Sequence, residues 1–379
     1  MATVEQAVGI GIMLLFLTDV FVTVLYARAN AGVLAPRLGR LIWRLFRALG
    51  GSFGRPAEVL SFCGPAILIT VVAFWALGLT LGAALIIHPE LGHGVVSGSG
   101  ETGTDFLTAL EAGGASLAIV GAGDHSPATG SMQLLYLFDS LIGVSVLSLT
   151  LTYLMQVYTA LRERNVVAMD LHLLTAETDD AAELLVRLAP DGDPTRLVDA
   201  LAQLGGRITA EKEAHHFYPV LSWFRFPEPH YAVSRIALLG LDTVALIRTA
   251  LDPRRAPGLP ESAAIEQLGR GSWLLLTTVE RAIFGHAADP KAAPDDDERS
   301  RQRYGEAVRR LGDAGFPVVN DEHTGAEAYA ALRAGWVPHV RLVADAMSYD
   351  VRAIDPAGEG ADLPERPHQA RPSAAGARR

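Results

Sequence analysis

Three long apolar runs constrain what this 379-residue chain can fold into more than any other feature. The first extends from Val8 to Tyr26 and is interrupted by Asp19. The second, Phe62 to Ile87, holds no charged residue, and the third, Met132 to Tyr158, carries only Asp139. At about 1.5 Å per residue, each is long enough to cross a hydrocarbon core of roughly 30 Å. Lipid offers the backbone no hydrogen-bond partners, so such runs must satisfy themselves as helices. Half of the sequence is hydrophobic although its formal net charge is −10, which implies apolar segments joined to an acidic soluble part. That acidity argues against nucleic acid as the main partner, since phosphate recognition demands a basic face. The single cysteine, Cys63, excludes a disulfide framework and a cysteine-based zinc site.

The connecting segments set an orientation. Between the first two runs lie Arg28, Arg37, Arg40, Arg44, Arg47 and Arg55 against one acid, Glu58. Between the second and third, residues 88–131 contain no Lys or Arg and carry Glu90, Glu101, Asp105, Glu111 and Asp124. Basic residues stay on the cytoplasmic side. The expectation is therefore a multi-pass plasma-membrane protein with its N-terminus outside, the acidic loop outside and everything after Arg162 cytoplasmic. A cleaved signal peptide is the rival reading of the first run, with Ala29-Asn30-Ala31 as cleavage site. Glu5 in place of a basic n-region, and Asp19 within the apolar stretch, argue against it.

The arginine-rich connection has its own periodicity. Leu38, Leu41, Ile42, Leu45, Phe46 and Leu49 share one helical face, and Arg40, Arg44 and Arg47 lie on another. This reads as a helix lying along the inner leaflet in contact with membrane lipid. The alternative is a linker helix packed on the soluble domain.

The acidic loop begins polar and glycine-rich and turns apolar from Phe106 to Gly123. Thr104-Asp105 can cap a short helix from Phe106 to about Leu117, too short to span, which would enter the membrane and return. After it comes Ala118-Ile119-Val120-Gly121-Ala122-Gly123-Asp124, closed by Ser126-Pro127. Alternating glycines let successive carbonyls point one way. Four such strands around an axis would form rings of oxygens able to replace a cation's water shell. One chain supplies one loop, so four copies are required.

The segment Phe106 to Arg164 resembles the pore loop and inner helix of the potassium channel family. Ile119-Val120-Gly121-Ala122-Gly123-Asp124 stands where that family has its Thr-Val-Gly-Tyr-Gly-Asp selectivity filter. Gly143 falls where many members have an inner-helix hinge glycine, and the order of outer helix, pore loop and inner helix matches over Phe62 to Tyr158. The resemblance implies a homotetramer that passes potassium or another monovalent cation through backbone carbonyls of Ile119, Val120, Gly121, Ala122 and Gly123. Asp124 at the outer mouth, and Glu111 at the mouth or behind the filter, would attract cations. Two departures matter. Ile119 lacks the innermost hydroxyl ligand that the family's threonine provides. Ala122 and the Glu111-Ala112-Gly113 stretch lack the aromatic brace around the filter, which implies a looser and less selective one.

In the third run Ser145, Ser148, Thr152 and Gln156 recur on one helical face and are expected to line water in the pore; hydrogen bonding between helices is the alternative. Asp139 is expected to hydrogen-bond the pore-loop scaffold, and Asp19 to pair with a hydroxyl such as Thr18 or Thr23 of a neighbouring copy.

The remainder reads as helices at Val166–Leu188, Pro194–Leu204, Thr209–Trp223, Ala232–Leu251, Ser262–Phe284, Arg299–Leu311 and Gly325–Tyr349. Ile236 to Ile247, with Asp242, is expected to be a buried core helix. Glu211, His215 and His216 could form half of a metal site, but no second pair accompanies them, so no metal, cofactor or catalytic constellation is expected. The chain is thus expected to be an all-α membrane protein and not an enzyme. Residues 1–58 would hold the first span and the interfacial helix, and 59–162 the ion-channel unit. A cytoplasmic helical domain would follow at 163–350 and a disordered tail at 351–379. A different class remains open: a non-conducting membrane scaffold or sensor whose cytoplasmic domain binds a partner.

Overall fold

The computed structural model describes residues 2–26, 34–53, 56–118, 124–291 and 296–355, and these are mostly helical. Three helices are long and apolar enough to cross a membrane: α1 (Ala2–Val24), α4 (Cys63–Ile87) and α6 (Gly130–Leu174). Between the first two lie α2 (Ala35–Phe53) and α3 (Pro56–Ser61), and between the last two α5 (Phe106–Leu117).

α1 and α4 run antiparallel in close contact because small residues stand where they cross. A Cβ on Gly9 would come within 2.6 Å of the Gly82 carbonyl oxygen, and one on Gly78 would overlap the Phe16 ring. Asp19 is buried at this contact. Its carboxylate accepts from Trp75 Nε1 of α4 at 2.9 Å and from the Leu34 N–H at 2.8 Å. The expected pairing with a threonine of another copy is therefore corrected: Thr18 donates to Leu14 O within its own helix, and Asp19 joins α1 to α4 of the same chain. At the opposite end of the pair, Glu5 meets His88 Nδ1 at 2.6 Å.

α6 is a single helix of 45 residues, much longer than the apolar run that announced it. It passes through the expected boundary at residue 163 and ends at Leu174. There the Thr175 hydroxyl donates to the Leu171 carbonyl and accepts from the Asp179 N–H, while Ala176, Glu177 and Asp179 take positive φ. Asp180 then caps α7 (Ala181–Leu188). The expected helix Val166–Leu188 is thus the end of one helix and the whole of another.

Beyond lie α8 (Pro194–Phe217), α9 (Val233–Ala250), α10 (Ala263–Phe284), α11 (Asp296–Asp313), α12 (Glu322–Arg333), α13 (Val337–Ala346) and α14 (Val351–Ile354). α9 is buried along almost its whole length at the centre, as its apolar composition demanded. The expected break between Pro194–Leu204 and Thr209–Trp223 is absent, since α8 continues through Gly205-Gly206 to Phe217, and the end of the second helix is corrected to a separate 3-10 turn at Pro219–Trp223; Gly205 is where α10 crosses, 3.2 Å from Leu268 N to an added Cβ. Conversely Gly325–Tyr349 is two helices, parted at Gly335-Trp336 before Pro338, which cannot donate to the preceding turn. The first residues of the tail expected at 351–379 are structured. Asp350 caps α14, Ile354 is buried and Asp355 is held by Arg333, whereas 356–379 lie outside the described residues.

α2 packs on this helical domain. Trp43 Nε1 donates to Ala346 O at 3.2 Å and its ring lies 5.5 Å from that of Trp223. The same helix exposes Leu41, Leu45 and Leu49 on another face. It therefore has the contact of a linker helix together with an apolar stripe left uncovered within the chain.

Candidate functional site

The segment between α4 and α6 is built around α5. Asp105 caps it: one carboxylate oxygen accepts from Leu107 N at 3.0 Å and Thr108 N at 3.1 Å, and the other from the Thr108 hydroxyl at 2.8 Å. Those bonds, the Thr108 hydroxyl first, hold the Asp105 carboxyl below the usual carboxylate range.

From this cap α5 runs down the side of α4. The Phe106 ring stands 5.6 Å from His88 at the end of α4, Gly113 lies against Ala84, and Gly114 faces Thr80. A side chain at Gly113 would sit 2.7 Å from the Ala84 nitrogen, so glycine alone permits this approach. The far end of α5 meets α6. An added Cβ at Gly143 would overlap the Leu117 carbonyl oxygen. Gly143 lies roughly 20 Å along α6 from Gly130, at about 1.5 Å per residue.

Polar groups fix the same junction. Buried Ser116 donates from its hydroxyl to Asp139 Oδ2 at 2.8 Å, and Ser140 donates to the Ser116 carbonyl at 3.0 Å. Asp139 thus bonds the segment between the spans, as expected of it. The chain before α5 and the chain after it are tied together at the level of the helix start. β1 (Val95–Ser97) and β2 (His125–Pro127) pair antiparallel, and Gly98 N donates to Asp124 O at 2.7 Å. α5 accordingly lies between two long helices, and β2 follows it in sequence, paired with β1.

Ile119, Val120, Gly121, Ala122 and Gly123 lie outside the described residues. Asp124 is exposed at the start of the returning strand, and Glu111 is exposed on α5. Ser145, Ser148, Thr152 and Gln156 are all exposed along α6, with the Thr152 hydroxyl turned back to Ser148 O at 3.0 Å. α6 is unbroken at Gly143, where the glycine serves a close approach. Sequence reasoning missed Ser116 as the anchor of this junction. The available signal was a lone hydroxyl at the end of an apolar helix in a chain with a lone acid in the next one.

Glu211 and His215 are brought together but buried, beside Arg164 of α6. His215 Nδ1 is 2.9 Å from the Glu211 carbonyl oxygen. Burial and then Arg164 push the His215 imidazole down to about 3, and burial lifts the Glu211 carboxyl to about 7. Among the described residues no three His, Cys, Asp or Glu side chains are grouped to hold a metal ion.

These features define a mostly helical, multi-pass membrane protein with three candidate spanning helices. Over 291 residues, which make up 76% of this chain and 81% of the other, it is 24% identical to the "Uncharacterized membrane protein YdjJ" of Bacillus subtilis (strain 168). No family model matches the chain, and no solved structure matches it.

Proposed function

We propose that the chain is one subunit of a homotetrameric, potassium-channel-like cation channel of the plasma membrane. A monovalent cation, potassium or another, would pass through backbone carbonyls of Ile119 to Gly123. The observation that carries this reading is the seat of α5. Its far end is locked against Gly143 and Asp139 of α6, while the segments on either side of it are tied in one hairpin. Such a frame would hold the connection after α5 near the end of that helix, and the carbonyl end of α5 would favour a cation there. Four copies around an axis would place four such strands face to face. The exposed Ser145, Ser148, Thr152 and Gln156 would then line the path toward the helical domain.

The arginines of the α2 connection support a reading in which that side, and the helical domain with it, is cytoplasmic, and the acidic 88–131 segment and the N-terminus are outside. Asp124 stands at the outer mouth, where its charge raises the local cation concentration, most strongly at low ionic strength. The full chain reconstituted in liposomes tests the reading. Expected is a potassium or rubidium flux that falls on Asp124→Asn at low salt and recovers as salt is raised. A chain that passes no monovalent cation returns the molecule to the class of non-conducting scaffolds.

A further inference from the structure

In the helical domain α9 and α10 run side by side, and the space between them opens into a cavity of about 190 Å³. Leu241, Val244 and Arg248 of α9, and Glu266, Arg270 and Trp273 of α10, recur at helical spacing and line it as two facing stripes. Room is left because the residues among them are small. Ala245 stands on one helix, and on the other Gly269, where an added Cβ would come within 3.4 Å of Val244 Cγ1. Trp336, at the corner between α12 and α13, closes one side. An apolar cavity of about 150 Å³ already admits benzene, so this one holds an aromatic ring with a short substituent.

Both indoles in the lining are fixed by other residues. Trp336 Nε1 donates to Asp242 Oδ1 at 3.2 Å. The Trp273 ring stands edge-on to His339 at 5.1 Å, and His339 Nδ1 lies 2.9 Å from Glu280 Oε2. With its N–H already engaged, Trp336 offers the cavity apolar ring surface, and aromatic rings gain on such a wall beyond the area they bury. Charge in the lining is unequal. Arg248 and Glu266 pair at 3.0 Å and offset one another. Arg270 is exposed, lines the same cavity and makes no hydrogen bond or ion pair among the described residues. Its guanidinium is therefore open to a carboxylate, which it can meet with two parallel hydrogen bonds.

The geometry points to a binding site for a small aromatic carboxylate, with its ring against Trp273 and Trp336 and its carboxylate on Arg270. The occupant touches α9, α10 and the α12–α13 corner at once, and Trp336 links it to Asp242 in the middle of α9. Binding thus draws three parts of the helical domain together. The site rests neither on ion conduction nor on the orientation of the chain in the membrane.

The probe is para-fluorophenylacetate, read by broadening of its fluorine resonance against the full chain in nanodiscs of zwitterionic lipid. Its neutral counterpart is para-fluorophenylacetamide. The acid is expected to bind about tenfold more tightly than the amide. Arg270→Gln should bring the acid to the amide's level and leave the amide unchanged. Arg254→Gln, which alters an exposed arginine outside the cavity, should change neither. Unlabelled phenylacetate should displace the probe at lower concentration than cyclohexylacetate, which has the same charge without the aromatic ring. Equal binding of acid and amide overturns the proposal, as does a failure of the acid to bind or binding that survives Arg270→Gln. Equal displacement by the two unlabelled acids overturns the aromatic assignment. No ion flux is measured, so failure of the channel reading leaves these results interpretable.

Discussion

Asp139 in α6 and Asp242 in α9 are both almost inaccessible carboxylates, at 1% and 2% exposure, yet their surroundings differ. Asp139 accepts one hydrogen bond from the neutral Ser116 hydroxyl, and among the described residues no cation pairs with it. Asp242 lies in a cluster of charges: Arg333 and Arg303 face it, Trp336 Nε1 donates to it at 3.2 Å, and Asp355, just after α14, completes the group. Asp19, in the apolar run of α1, accepts from Trp75 Nε1 and the Leu34 N–H. The contrast follows from the surroundings. A helix facing lipid cannot carry a guanidinium on its apolar side without large cost, so an acid there is held by hydroxyl and indole. In a water-bounded helical domain the arginines can be solvated before folding and brought in as partners.

Within the charged cluster, burial works against the Arg333 charge, but Asp242, Tyr329 and Asp355 outweigh it and hold the guanidinium well above its ordinary range. Burial would raise the Asp355 carboxyl, and Arg303 and Arg333 reverse this and keep it below the usual carboxylate range. The cluster joins α9, α11, α12 and the segment after α14, so removing one member leaves others charged and buried. Arg333→Met should therefore cost about 3–5 kcal/mol of domain stability, read from chemical unfolding of the full chain in detergent. A cost under about 1 kcal/mol would mean that the cluster is not a unit and would erase the contrast with Asp139.

Glu211 sharpens the comparison, because it is a buried acid of the helical domain whose Oε2 has no hydrogen-bond partner among the described residues. Its carboxyl is raised from 4.5 to about 7, so the folded chain holds a proton that the unfolded chain releases between these values. Stability from this group is present below about pH 4.5 and is lost as pH rises through 7. Glu211→Gln mimics the protonated form and should be more stable to unfolding than the unaltered chain at pH 8, by about 2–3 kcal/mol. The two should converge near pH 4.5. A difference that does not change with pH would show that the side chain is not titrating in that window.

The smallest expected effect belongs to the membrane half. Asp139→Asn keeps an oxygen for the Ser116 hydroxyl and should cost no more than about 1 kcal/mol. Asp139→Leu removes the acceptor and should cost more, measured in the same unfolding series. If the asparagine variant proved as damaging as Arg333→Met, the acid would be acting through its charge, and the neutral account of the junction would fail.

The sequence made α5 legible to the residue because its two ends are marked locally, by the Asp105 cap and by the change to alternating glycines after Leu117. The spans were legible from apolar length. What escaped was continuity and distance. The helical course of α6 past Tyr158 is hidden because Arg162, Glu163 and Arg164 end the apolar signal without ending the helix. The glycine pair inside α8 looks like a break when its use is to let α10 come close. One partner of Asp19 is Trp75, on another helix, and nothing near Asp19 in the chain announces it. At the candidate site, Gly143 stood out in the sequence, but its contact with the Leu117 carbonyl depends on two helices whose crossing no local pattern encodes.

The central claim, that four return strands meet on one axis, is tested most directly by counting copies of the full chain in the membrane. The chain would be labelled at a single introduced site and read by stepwise photobleaching. Complexes of four are predicted. A population of single chains, or of pairs, would leave no axis for the strands to share and would contradict the account.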